Sequence, residues 1–224
     1  MKLAFVSDVA CPWCAVGLNA LERALERIGG ELAIELAFEP FELNPDMPTE
    51  GADTLEYLGA KYGIGPDQIA QNQARIRERG AEVGFTFGAR PRVWNTFDAH
   101  RLLMWAGVQG PHFQRALKHR LLEAYHGQGR NPGDATVLRE AAEAAGLAGE
   151  EAAAILAGDR YAAEVRARER HWQQLGIHSV PSLVIDERHL IQGGQPPEAF
   201  EQALRQIAAQ GASQGAEPGA AASR

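Results

Sequence analysis

The only two cysteines of this 224-residue chain stand together as Cys11-Pro12-Trp13-Cys14. Their place between a strand and a helix constrains the fold more than any other feature. Lys2 to Ser7 is short, apolar and partly β-branched, and reads as a buried strand. Cys14, Leu18, Leu21, Leu25 and Ile28 then recur at helical spacing along one stripe, and Gly29-Gly30 supplies the stop. Leu32 to Phe38 alternates as a second strand. A helix linked closely to a strand on either side is a βαβ unit, whose strands run parallel with a right-handed crossover.

A cysteine pair at i and i+3 has a definite use at a helix start. The first thiol meets free backbone N–H groups and the positive dipole end, which favour a thiolate. Such positions bring a cysteine pKa from ~8.5 into the range ~3.5–7.5. Cys11 precedes the helix body and is expected to be the exposed, attacking nucleophile. Cys14 falls on the apolar stripe and is expected to be the buried, resolving thiol. Pro12 suits the first helical turn, where its missing N–H costs nothing.

Two cysteines make no disulfide framework, and 45% hydrophobic residues with 23% charged exclude a disordered or collagen-like chain. With 22 Lys+Arg against 29 Asp+Glu the net charge is −7, which argues against nucleic acid as a partner. The apolar start ends at Ser7-Asp8, too short for a secretory segment, and no run approaches the ~20 apolar residues of a membrane span. A cytoplasmic protein without membrane association is expected, where a cysteine pair is catalytic, redox-sensing or metal-binding rather than structural.

From about Asp53 the strand signal stops. Thr54–Tyr62, Pro66–Val83, Thr96–Val108, Pro111–Tyr125, Asp134–Ala145 and Asp159–Leu175 read as helices, several with Pro, Asp or Thr near the start and Gly at the end. Strand signals return at Pro181–Ile185 and His189–Gln192, joined by the hairpin-length Asp186-Glu187-Arg188. A last helix, Pro197–Ala209, follows Gly193-Gly194. The expected organisation is α/β: a thioredoxin-like domain in two halves, residues 1–50 and 166–210, around a helical insertion at 51–165. The Gly/Ala/Ser-rich tail, 211–224, is expected to be disordered.

Several segments together carry a family resemblance. Val6-Ser7-Asp8, the Cys11–Cys14 motif, Pro40-Phe41-Glu42-Leu43-Asn44-Pro45, Asn95 to Leu102, Ser179-Val180-Pro181-Ser182-Leu183 and Gly193-Gly194-Gln195-Pro196-Pro197 occur in this order. The chain resembles the DsbA-like thiol–disulfide oxidoreductases, and most of all their FrnE-type cytoplasmic branch. The resemblance implies a thioredoxin fold with a helical insertion, catalytic Cys11 and Cys14, and a cis Pro181 lying against them. It also implies that the Val180 backbone pairs with an extended substrate segment, by strand addition. Protein disulfides or dithiols, or small thiols, are then the substrates, with Pro12 and Trp13 contributing substrate surface. Periplasmic members carry His within the motif. Trp13 offers the sulfur no comparable donor, so a less oxidising pair is expected, and without a second cysteine pair no relay of two disulfides can operate.

No tightly bound cofactor is expected; glutathione or another thiol is a candidate electron-exchange partner. Two other readings remain open: a glutathione-dependent isomerase or kappa-class transferase-like enzyme, and a zinc-binding or chaperone-like module. Glu39 reads either as a proton relay to Cys14 or as an edge carboxylate paired with a surface Arg. Asn95 and His100 are placed at a groove between domains, His100 preferably as a hydrogen-bonded core residue. Trp94, Trp105 and Trp172 read as core or domain interface, and Arg166 to Arg170 as a solvated helix face.

Overall fold

The computed structural model describes residues 1–214. Its main sheet has four strands: β1 (Lys2–Ser7), β2 (Glu35–Pro40), β5 (Ser182–Ile185) and β6 (His189–Gln192), in the order β2-β1-β5-β6. β1 and β2 are parallel, joined across α1 (Pro12–Ile28), as the βαβ reading requires; β5 pairs antiparallel with both β1 and β6. The hairpin between β5 and β6 turns through Asp186 and Glu187, both at positive φ, and Asp186 is anchored by the Lys2 backbone N–H donating to its carboxylate at 2.7 Å.

Between β2 and β5 the chain runs through β3 (Ala52–Asp53), α2 (Thr54–Tyr62), α3 (Pro66–Glu82), β4 (Arg92–Val93), α4 (Phe97–Gln109), α5 (Pro111–Leu122), α6 (Ala135–Ala144), α7 (Gly149–Ala157) and α8 (Ala162–Gln174). A last helix, α9, spans Pro197–Gln214. Sequence signals explain several ends: Asp53 caps α2 by accepting from the Leu55 and Glu56 N–H groups, and Asp134 does the same for Thr136 and Val137 at α6.

Four expectations shift. The second strand begins at Glu35 rather than Leu32, because a 3₁₀ turn over Gly29–Glu31 consumes part of the link and pairing starts opposite Lys2. The helix expected to reach Tyr125 changes at Glu123–Gly127 into a π-helical turn. α7 is an Ala-rich helix burying only Ala152 and Ile155, too few apolar positions to show a period; the two-residue strands β3 and β4 show none either. α9 extends to Gln214, so 211–214 are helical, not the start of a disordered tail; the remainder of the expected tail lies outside the described residues.

The period-two alternation of β1 distributes its side chains between two layers. Leu3 and Phe5 join the core formed with α1 and α9, among them Leu18, Leu21, Phe200 and Leu204. Val6, with Ala4 beside it, meets Phe41, Trp172 and Ile177 on the opposite face. A third core unites α4 to α7 through Leu102, Trp105, Leu117, Leu121 and Leu138, and it includes Val9 and Ala10 from the loop after β1. That loop is therefore packed into the helical block, not merely near it.

Phe5 is fully buried and meets Phe38 edge-on with centroids 6.1 Å apart. Truncating it leaves a cavity in the centre of the sheet. Phe5→Ala is expected to destabilise by about 3–5 kcal/mol, measured as a lower denaturant midpoint with an unchanged slope.

Candidate active site

α1 begins one residue after Cys11, which occupies the N-cap in extended conformation. The Cys11 N–H donates to the Asp8 carbonyl at 3.2 Å, and the Cys14 N–H to the Cys11 carbonyl at 3.1 Å, so a tight turn delivers one thiol to the helix tip and the other one turn inside. The Val180–Pro181 bond is cis, and the Cys11 Sγ donates to the Val180 carbonyl at 3.6 Å. Among the described residues the Val180 N–H has no partner. Cys11, Cys14, Val180 and Pro181 thus meet at one place, with Pro12 and Trp13 beside them.

Two expectations need correction. Cys11 is not exposed: it is 4% accessible, because the Val180–Pro181 loop lies over it and Asp8 holds its backbone inward. Trp13 is half-buried and packs against the α1–α9 core, with its carbonyl and ring also crowding Gly194. It offers substrate at most part of its surface. Cys14 is fully buried, as its place on the apolar stripe implied. Burial, and next the hydrogen bond and charge of Cys11, push its thiol well above the ordinary cysteine range.

Beneath the pair lies a set of buried polar groups, of which the sequence reading had singled out His100 alone. Asp8 is completely buried, yet its carboxylate accepts from the Ala10 N–H at 3.0 Å, the Leu43 N–H at 2.7 Å, the Thr96 hydroxyl at 2.8 Å and His100 Nε2 at 3.3 Å. Burial opposes ionisation, but His100 and the two amides outweigh it and hold the carboxyl below its usual range. His126, 1% exposed, donates through Nε2 to the Val9 carbonyl at 2.8 Å, while Arg90 Nη1 lies 3.2 Å from Nδ1. Burial, and next the Arg90 charge, keep it neutral. Lys118 of α5 is 1% exposed; burial lowers its pKa, and the nearby negative charge of Cys14, Asp8 and Cys11 opposes that shift. In sequence Asp8 looked like the end of a strand. Lys118 received no reading of its own, and only its place with Gln114, Leu117 and Leu121 on one helical stripe could have flagged it.

His100 is the hydrogen-bonded core residue, not a groove residue. Asn95 links its neighbours, donating to the Met47 carbonyl at 3.1 Å and accepting from the Phe97 N–H at 2.9 Å. Glu39 accepts from Arg168 Nε at 2.8 Å and Nη2 at 2.6 Å and from the Trp172 indole N–H at 3.0 Å, so the paired-carboxylate reading applies. Trp105 and Trp172 are buried and Trp94 packs on the helical core. The run from Arg166 to Arg170 is a solvated face only in part, at Ala167 and Arg170. Arg166 pairs with the buried Glu42 and Glu169 and lies 4.0 Å over the Phe97 ring, while Arg168 holds Glu39: the run fastens α8 to β2 and the loop after it.

A cleft of about 440 Å³ opens beside Pro12, lined among others by Leu55, Ile76, Arg77, Arg90 and His126. Among the described residues no group of three or more His, Cys, Asp or Glu side chains is placed to hold a metal ion, and no helix is long and apolar enough to cross a membrane.

Comparison with known proteins gives this geometry a family. A model described as the DSBA-like thioredoxin domain matches residues 2–205. The structure is similar to that of a probable DsbA oxidoreductase from Streptomyces coelicolor, 36% identical, covering 93% of this chain and 90% of that one, with a TM-score of 0.87. It shares its fold with the cytosolic disulfide reductase DsbM from Pseudomonas aeruginosa, solved with GSH: 18% identical, covering 93% of this chain and 100% of that one, with a TM-score of 0.66. An uncharacterized protein of Bacillus subtilis is 26% identical over 205 residues, 88% of this chain and 92% of its own.

Glu42 supplies a pH-dependent signature. One of its carboxylate oxygens has no partner among the described residues, and the same holds for Glu169. Burial raises Glu42 to about 7; the positive influence of His100 and Arg166 only partly opposes this, and Glu169 adds to it. A carboxyl whose folded pKa lies above its unfolded value binds more protons in the native state across that interval, so stability falls as pH rises through it. Wild-type stability is expected to decline from about pH 4.5 to about pH 7. Glu42→Gln, which can still accept from Arg166, is expected to flatten that slope, read from denaturant midpoints at each pH.

Proposed function

The chain belongs to the DSBA-like thioredoxin domain family, and from that premise we propose that it exchanges thiols and disulfides through Cys11 and Cys14. One observation carries the reading: the Cys11 thiol stands at the tip of α1 against the Val180 carbonyl of the Val180–Pro181 loop, with Cys14 buried one turn behind it. The N-terminal end of a helix favours charge developing on sulfur there. The Cys11 thiolate attacks one sulfur of a substrate disulfide, a mixed disulfide forms, and one substrate thiolate leaves. Cys14 then attacks the Cys11 sulfur, releasing the second substrate thiolate and closing the Cys11–Cys14 disulfide. Run backwards, the same steps oxidise a substrate dithiol.

The unpartnered Val180 N–H is positioned to pair with an extended substrate backbone, which reads main chain and admits many sequences. The cleft beside Pro12 and the accessible part of Trp13 supply the neighbouring surface. We assign protein disulfides or dithiols as the substrates and the cytoplasm as the site of action. Glutathione or another small thiol serves as electron-exchange partner, and no tightly bound cofactor is required. The direction, as oxidant, isomerase or reductase, follows from the potential of the pair against the thiol pool. A redox titration against glutathione reads it directly.

With a model disulfide, Cys11→Ser is expected to reduce turnover to the uncatalysed background. Cys14→Ser is expected to complete the first step and stop, with one substrate thiol added to Cys11 and visible as added mass. Equal turnover by wild type and Cys11→Ser would overturn the assignment.

A further inference from the structure

We propose that the cleft beside Pro12 holds a carboxylate of the substrate between Arg90 and Arg77, so that protein substrates with an Asp or Glu side chain beside the reacting cysteine are preferred. The inference rests on the exchange reading above and names a substrate class which that reading leaves open. Pro12 follows Cys11 directly and lines this cleft of about 440 Å³. A group seated in the cleft is therefore next to whatever reacts at the Cys11 thiol.

Arg90 is held in place from several sides. The His126 Nε2–H donates to the Val9 carbonyl at 2.8 Å, which leaves Nδ1 with its lone pair, and Arg90 Nη1 donates to that lone pair at 3.2 Å. The guanidinium also lies over the Tyr125 ring, 5.6 Å from its centroid. The main chain is fixed as well: the Arg90 carbonyl accepts from the Thr54 hydroxyl at 2.8 Å, and the Pro91 carbonyl from the Thr54 N–H at 2.9 Å.

Two glycines make this arrangement possible. The segment before Arg90 lies against the π-helical turn that carries His126, and the Gly88 N–H donates to the His126 carbonyl at 2.9 Å. A Cβ at Gly88 would collide with the Gly127 carbonyl. One at Gly129, where φ is +69°, would stand 2.6 Å from the Ala89 carbonyl. Backbone meets backbone here, and the result is a guanidinium set at the cleft.

What Arg90 lacks is an anion. A guanidinium has five N–H donors, and the contact with His126 is the only hydrogen bond its side chain makes among the described residues. Arg77 of α3 lines the same cleft, is exposed, and has neither a hydrogen-bond nor an ion-pair partner among the described residues. The carboxylate in the lining, Asp53, is already committed to capping α2, where it accepts from the Leu55 and Glu56 N–H groups. Two planar forks beside the apolar surfaces of Leu55, Ile76 and Phe87 suit a carboxylate on a short aliphatic stem. A substrate segment paired through the Val180 N–H presents its cysteine to Cys11 and leaves a neighbouring side chain free to enter. Overall charge works against acidic partners, since the chain carries −7, so a preference for them requires a local site.

Three peptide disulfides that differ only in the residue beside the reacting cysteine, Glu, Gln or Lys, test this through kcat/KM. In wild type the Glu peptide is expected to exceed the Gln peptide by about tenfold, mainly through KM, and the Lys peptide by more. The preference is expected to shrink as salt is added. Arg90→Gln and Arg77→Gln are each expected to cut the Glu-to-Gln ratio to about twofold, and Arg77→Glu to move the Lys peptide ahead of the Gln peptide. Only ratios within one variant are compared, so a change common to all three peptides does not enter. Arg77 is exposed, and its two variants supply the test should Arg90→Gln fail to fold. Equal kcat/KM for the Glu and Gln peptides in wild type overturns the carboxylate site and leaves the exchange reading standing. A Glu preference that survives both Gln substitutions overturns its assignment to this cleft. Turnover of none of the three peptides by wild type removes the exchange reading, and this one with it.

Discussion

Asp8 is the interaction on which the site depends. Its carboxylate is fully buried, where an ion without partners would cost several kcal/mol. The donors that offset that cost come from three different parts of the chain. Ala10 comes from its own loop, Leu43 from the segment after β2, and Thr96 and His100 from the start of α4. The backbone carbonyl of the same residue receives the Cys11 N–H. One side chain therefore joins the sheet, the loop after β2 and the helical block, and its main chain sets the turn that presents the thiols. Removing a donor does more than delete one bond, because it leaves the remaining charge less well solvated.

The packing follows the same pattern. Val9 and Ala10, which immediately precede Cys11, are buried in the core of the helical block, whereas Ala15, Val16 and Leu18 just after Cys14 belong to the core under the sheet. The cysteine motif spans the boundary between the two. Gly17 lets this boundary close: a Cβ there would stand 3.1 Å from the Pro181 ring and 3.3 Å from the Gly194 Cα. α1 approaches the proline loop as closely as its backbone allows, and that approach brings the Val180 carbonyl to Cys11.

The thiol pair, the βαβ unit, the β5–β6 hairpin and most of the helices were legible from the chain, because each is written in local terms: spacing, alternation, caps and turn residues. The cis Val180–Pro181 bond was legible only through family resemblance. What escaped was non-local. Lys118 stands in a run, Arg115-Ala-Leu-Lys118-His119-Arg120, that reads as a charged surface, and nothing within that run says that Lys118 is buried. Arg166 and Arg168 look like a solvated charge run for the same reason, since their partners Glu42 and Glu39 lie more than a hundred residues earlier. The exposure expected for Cys11 failed because exposure depends on what covers a residue, and the cover is Val180.

This division explains what the helices between β2 and β5 contribute to a site whose two cysteines lie on the sheet side. Strands and α1 can place two sulfurs one helical turn apart, but they supply few titratable groups there. Thr96, His100 and His126 all come from the helical block, and all reach Asp8 or Val9 just before the cysteine motif. The field felt by Cys14 is consequently set by how α4 and α5 seat against the sheet, through contacts such as the Gln114 amide, which donates to the Phe38 carbonyl at 3.0 Å and accepts from the Phe38 N–H at 3.1 Å. A substitution in these helices therefore changes the electrostatic setting of the two sulfurs without any change in the motif itself.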